Sequence, residues 1–200
     1  MTKSKSGAKN QQEVPVIIVQ TANVLQKISS RLTVIFAAKL FTTPIKHKMP
    51  KREFSMDKNS KQSILNIPEI KKEVVIYELG NAPKKILLVH GWSGRGTQMF
   101  KIAETLVEKG FATISFDAPA HGKAKGNTSI MLEFIASIKE IDKQFGPFEA
   151  AIGHSLGGMA LFNSVKDGVE FKKLITIGSG DVIKDIIDEF VLKLKLKNTM

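Results

Sequence analysis

From residue 73 onward the hydrophobic positions fall into short runs separated by longer amphipathic stretches. EVVIYELG (73–80) alternates and is rich in β-branched side chains, as a strand does. KKILLVHG (84–91), FATISFDAP (111–119), AAIGHS (150–155) and KLITIGSG (173–180) are apolar runs closed by small residues or proline, which is how strands covered on both faces read. Asn81-Ala82-Pro83 predicts a hairpin-like turn between the first two runs. Residues 98–109 place Phe100, Ile102, Ala103, Leu106 and Val107 on one helical face ahead of Gly110. Residues 129–145 do the same with Leu132, Ile135, Ile138 and Ile141, ending at Gly146-Pro147, and 156–165 is a third helix. Residues 181–197 read as a helix through Val182, Ile183, Ile186, Ile187 and Phe190, although VLKLKLK at the end alternates with period two. Strand and helix in regular alternation predict an α/β fold, doubly wound around a mostly parallel sheet.

The N-terminal third has a different texture. Residues 1–13 are polar and basic, and a disordered tail is expected. Residues 14–42 predict one or two amphipathic helices, with Val24, Leu25, Ile28, Leu32 and Ile35 at helical spacing and Lys27 and Arg31 on another face. Residues 43–62 hold two prolines and many charges and read as a linker. The expected organisation is a tail (1–13), a basic helical arm and linker (14–62), and an α/β domain (63–200).

Charge sharpens this division. The chain has 200 residues with 30 Lys and Arg against 19 Asp and Glu, a net charge of +11. Residues 1–62 carry twelve cations and three acids, or +9; residues 63–200 carry eighteen and sixteen, or +2. The basic excess belongs to the arm, so nucleic acid is not expected as a partner of the protein as a whole. For the arm itself three readings stand: a helix docked on the domain, which is preferred, a basic helix on an anionic membrane surface, and a nucleic-acid arm. The last lacks interleaved aromatics and dense Arg. The apolar stretch from Val14 to Gln26 is too short to span a bilayer, and Glu13 at its edge, with no cleavage site after it, argues against a signal peptide. Cytoplasmic placement is the default expectation. The absence of cysteine excludes disulfides, thiolate metal sites and a Cys nucleophile. No metal or organic cofactor is expected, and the oligomeric state is not legible.

The chemistry lies at the strand ends. Gly153-His154-Ser155-Leu156-Gly157 matches G-x-S-x-G between a strand and a helix. A serine there sits on a tight turn with its hydroxyl clear of the sheet. Side chains at Gly153 or Gly157 would collide with the neighbouring elements. The helix start places the Leu156 N–H beside the hydroxyl, ready for a developing oxyanion. The second motif, His90-Gly91-Trp92-Ser93-Gly94, closes an earlier strand and offers the Trp92 N–H to the same oxyanion. His90 reads as a loop-shaping hydrogen bonder rather than a base, and Trp92 as pocket wall or packing residue. The third motif is Phe116-Asp117-Ala118-Pro119-Ala120-His121-Gly122.

In this order HGWSG, FDAPAHG and GHSLGG resemble the α/β-hydrolase superfamily, in particular its bacterial serine esterases and lipase-like members, over residues 73–180. The resemblance implies that Ser155 is the nucleophile of an acyl-enzyme mechanism on a small-molecule ester or related acyl substrate, and that Asp117 and His121 are structural. Ala120 departs from the glycine common in relatives at D-x-P-G-H-G. The resemblance also implies eight strands, where five are legible here, with residues 181–200 at the place where a lid often begins.

Hydrolysis needs a base and an orienting acid, which in this fold follow the serine. The histidines are His47, His90, His121 and His154, all before Ser155, and His154 is expected to point away from the hydroxyl. Asp167, Glu170, Asp181, Asp185, Asp188 and Glu189 follow the serine, but only Asp181 lies after a strand. Three explanations stand open: a fragment of a longer hydrolase, a non-catalytic relative serving as a binding or scaffold protein, or a partner chain supplying the missing half. The chain itself is expected to have little turnover.

Overall fold

The computed structural model describes residues 14–180 and 182–196. The tail expected at 1–13, and the ends of the last predicted helix and lid segment at 181 and 197–200, lie outside the described residues. The chain divides into two compact units. One holds residues 42–180, the other residues 14–41 together with 182–196.

The larger unit is a six-stranded sheet in the order β1-β2-β4-β3-β5-β6. The strands are β1 (Lys61–Ile67), β2 (Lys72–Leu79), β3 (Lys85–Val89), β4 (Ala112–Asp117), β5 (Ala150–His154) and β6 (Leu174–Ile177). β3 to β6 run parallel, and β2 joins β4 antiparallel with β1 antiparallel beyond it. The expected hairpin between the first two runs is not formed, because β4 lies between β2 and β3. The crossover through α4 (Phe100–Glu108) brings β4 parallel to β3 and places it where a hairpin partner would lie.

Helices cover both faces, as the doubly apolar strands demand. On one side α5 (Met131–Phe145) and α6 (Leu156–Lys166) enclose Leu87, Val89, Ile114, Phe116, Phe134, Ile138 and Ile141. On the other, α4 and the short α3 (Phe54–Asn59) meet Tyr77, Leu88, Met99 and Met56. On α5 the inward positions are Phe134, Ile135, Ile138 and Ile141, while Leu132, expected to face inward, is exposed. Its neighbour Phe134 takes the core position instead.

Residues 43–62 are not a free linker. They contain α3 and the first residues of β1, with Glu53 and Met56 buried. Their backbone is fastened to the sheet's loops: the Ser129 N–H donates to the Thr42 carbonyl (2.8 Å) and the Ile45 N–H to Ser93 Oγ (2.9 Å). The boundary expected at residue 62 therefore falls near 42. Glu53, one of two acids in this basic stretch, was the available clue. It accepts a hydrogen bond from Thr97 Oγ1 (2.8 Å) and faces the Arg95 Nε at 3.7 Å, all three side chains being buried.

In the smaller unit, α1 (Val16–Ile28) and α2 (Ser30–Phe41) are separated at Ser29, whose extended backbone breaks the helix. They group with α7 (Ile183–Lys193) through buried Ala22 and Leu194 and an edge-to-face contact of Phe41 with Phe190 at 5.1 Å. Residues 182–196 thus belong with the arm rather than with the 63–200 domain in which they were expected.

β6 is the last strand of the sheet and hydrogen-bonds only to β5 among the described residues. Ile175 and Ile177 point to one face and are 46% and 42% exposed. An apolar edge of this kind templates association. The 200-residue chain should scatter light on concentration, and an Ile175→Lys, Ile177→Lys double variant should stay monomeric at higher concentration in size-exclusion chromatography. A soluble monomeric parent with a sharp two-state melt would contradict this.

Candidate active site

β5 ends at His154 and α6 begins at Leu156, so Ser155 alone turns the chain from sheet to helix. It does so at φ 51°, ψ −121°. Such a conformation costs a non-glycine residue about 1–3 kcal/mol and persists only when its surroundings over-determine it. Here the Ser155 N–H donates to the Ile177 carbonyl at the end of β6 (2.9 Å). Its own carbonyl accepts from the Gly158 N–H (2.9 Å) and the Ser179 hydroxyl (3.0 Å). Ser179 was not foreseen, being an undistinguished serine in a post-strand loop. The Ser155 side chain is half-buried, and among the described residues its hydroxyl pairs with no histidine.

The glycines around it mark backbone contacts. A Cβ on Gly153 would stand 2.5 Å from the Gly158 Cα, and one on Gly157 would stand 2.4 Å from the Val89 carbonyl oxygen. A Cβ on Gly91 would stand 3.0 Å from the Ser155 Cβ. The loop after β3 therefore runs directly against the serine side chain, with Trp92 next in sequence. Neither the Trp92 N–H nor the Leu156 N–H has an acceptor among the described residues.

That loop is shaped by His90, which is fully buried. Its Nε2 accepts from the Ala118 N–H (3.1 Å) and its Nδ1 lies 2.7 Å from the Gly91 carbonyl, which assigns the proton to Nδ1. Burial pushes its pKa down to about 4. Both ring nitrogens are committed, which fits a structural histidine. The Gly94 N–H closes the turn onto the Gly91 carbonyl (3.0 Å). Trp92, 36% exposed, stands edge-on to His121 at 5.1 Å.

The loop after β4 is tied by Asp117. Its carboxylate accepts from the Tyr77 hydroxyl (2.8 Å), the Gly96 N–H (2.7 Å) and the Lys123 N–H (2.7 Å). Burial raises its pKa against these donors, which pull the other way, and burial with the Asp117 charge raises that of Tyr77. Gly122 is required here, because a Cβ would overlap the carboxylate, 2.2 Å from Oδ2. Ala120 adopts φ 65°, the left-handed conformation that explains the glycine expected at this position. His121 Nδ1 lies 3.0 Å from the Pro119 carbonyl, while its Nε2 is buried without a partner. Burial, then the neighbouring His90, lowers its pKa to about 3.

No histidine is thus placed as a base. His90 and His121 are buried in loop packing, His47 is exposed, and the exposed His154, whose Nδ1 would stand 3.1 Å from a Cβ on Gly91, has no hydrogen bond to the Ser155 hydroxyl. The acids Asp167, Glu170, Asp185, Asp188 and Glu189 are all on exposed surface, and Asp181 lies outside the described residues. Among the described residues no three His, Asp or Glu side chains gather to hold a metal ion.

A family model described as "alpha/beta hydrolase fold" matches residues 84–194. The chain belongs to the α/β-hydrolase family. Solved α/β structures agree at the level of fold. The esterase EaEST from Exiguobacterium antarcticum is 18% identical with a TM-score of 0.55, over 60% of this chain and 46% of its own. The esterase Pf2001 from Pyrococcus furiosus is 15% identical with a TM-score of 0.59, over 78% and 69%. A thioesterase domain from the curacin biosynthetic pathway is 19% identical with a TM-score of 0.53, over 68% and 54%. The chain spans about half the length of EaEST and of the thioesterase domain. No curated protein matches it.

The backbone contacts at this α/β-hydrolase elbow predict that Gly153→Ala lowers stability by about 3 kcal/mol or more in urea unfolding, since the obstacle is main chain and cannot rotate away. The buried histidines predict an acid limb. Their folded pKa values lie below the unfolded value, so the unfolded state binds more protons between about pH 6.5 and 4. Their contribution is complete above pH 6.5 and is lost as pH falls, whereas the raised pKa of Asp117 acts in the opposite sense. His121→Phe should reduce the slope of stability against pH in this window by up to about 1.4 kcal/mol per pH unit.

Proposed function

We propose that this α/β-hydrolase is built as a serine hydrolase acting on carboxylic esters or related small acyl compounds. The observation that carries this is Ser155 itself, held at positive φ on the strand-to-helix bend with Gly91 packed against its Cβ. In this reading the Ser155 hydroxyl attacks the acyl carbonyl, and the Trp92 and Leu156 N–H groups receive the negative charge that develops on the carbonyl oxygen. The leaving group departs, and water releases the acyl group from the serine. His90, Gly91, Gly153, His154 and Gly157 shape the site without exchanging protons with substrate. The general base and its acid are assigned to polypeptide outside this chain, in keeping with a match that covers about half of two of its structural neighbours. The esterases and the thioesterase domain among those neighbours favour acyl transfer.

A second reading is a non-catalytic binding protein on the same fold. It is favoured by the absence, among the described residues, of a histidine on the Ser155 hydroxyl.

A fluorophosphonate probe separates the two. A longer product of the same gene carrying a histidine after Ser155 should be labelled at Ser155, and its Ser155→Ala variant should not. The 200-residue chain should label about a thousandfold more slowly or worse, for want of a base. A folded longer product that resists the probe would establish the binding reading.

A further inference from the structure

The smaller unit leaves an apolar face outward. On α1, Val16, Ile17, Val24 and Ile28 are 71%, 68%, 56% and 70% exposed. At 100° per residue they share one third of the helix circumference, with Lys27 inside the same arc. On α2, Val34 and Ile35 are 66% and 56% exposed, with exposed Arg31 within the same span. Buried Ala22 and Thr33 mark the opposite, packed faces.

The charge on this stretch has one sign. Within the smaller unit, residues 14–41 carry Lys27, Arg31 and Lys39, with no Asp or Glu. The described acids of the same unit lie on α7: Asp188 pairs with Lys184, Glu189 pairs with Lys193 at 2.9 Å, and the third, Asp185, is exposed. A face at once apolar and cationic matches the boundary of an anionic bilayer, where acyl chains take the apolar side chains and headgroups take the lysines. α1 has 13 residues, about 20 Å, and among the described residues no helix is long and apolar enough to cross a membrane. The helices would therefore lie in the surface plane.

We infer that the α1–α2 hairpin docks on anionic lipid. The claim is independent of the hydrolase reading.

The test is flotation of the full chain with vesicles of phosphatidylcholine, alone or mixed with phosphatidylserine; aggregated protein sinks and vesicle-bound protein rises. Binding should be confined to the anionic vesicles and should weaken as salt is raised. Lys27→Gln with Arg31→Gln should weaken it roughly tenfold or more, and Ile17→Gln with Ile28→Gln should abolish it, with helicity checked by circular dichroism. These positions are exposed; should a variant nonetheless lose its helices, the salt titration of the unaltered chain decides. No flotation with either vesicle, or equal flotation with both, overturns the inference. So does concentration-dependent dimerisation that Ile17→Gln with Ile28→Gln abolishes, which would make a second copy the occupant.

Discussion

Main-chain contact between β3, β5 and α6 is the constraint on which the candidate site rests. Val89 and His90 present their carbonyl oxygens to Gly157, and Gly153 meets the backbone of Gly158. At those separations no Cβ fits, so the start of α6 is pressed onto the ends of two strands. Ser155 must reverse the chain in one residue and is driven into a positive φ. The hydrogen bonds to Ile177 and Ser179 offset that strain by committing the serine's own N–H and C=O. Only its hydroxyl and the amide that follows remain available to a ligand.

The same packing explains why His90 and His121 are held rigidly beside the elbow. His90 and His121 lie 5.1 Å apart, centroid to centroid, and both contact Phe134. Their role is to bridge the loops after β3 and β4: His90 accepts from Ala118 across that gap, and Asp117 answers by accepting from Gly96. A base must exchange protons near neutral pH. These two rings have lost that capacity through burial, and with it the freedom to reach the serine. Loop rigidity and proton transfer make opposite demands on an imidazole, and here rigidity is met.

Sequence pattern made the strands β2 to β6, the helices α4 to α6 and the elbow legible, because each rests on local signals: apolar runs, helical periodicity and glycine at a junction. What it did not disclose depends on distant partners. Asn81-Ala82-Pro83 looks like a hairpin turn because nothing local reports that β4 will occupy the space beside β2. Residues 43–62 look like a linker because their anchors, Ser93, Thr97 and Ser129, lie far along the chain. β1 (KQSILNI) interrupts its apolar residues with Lys61, Gln62, Ser63 and Asn66 and pairs only with β2, so it lacks the unbroken apolar run that marked the central strands. Ser155, Gly153 and Gly157 could be found from spacing alone; Ser179 could not, since its only distinction is the carbonyl it reaches.

In the serine-hydrolase reading proposed above, two requirements of acyl chemistry fall on different parts of the polypeptide. Presenting a hydroxyl beside unengaged amides is a property of β3, β5, α6 and the tip of β6, all of which pack within one compact unit. Moving a proton requires an imidazole hydrogen-bonded to that hydroxyl, and among the described residues none is. The first requirement is met through strain and close packing, which hold without the second. The geometry of the elbow is therefore fixed by glycines and strand ends, whatever group the hydroxyl meets.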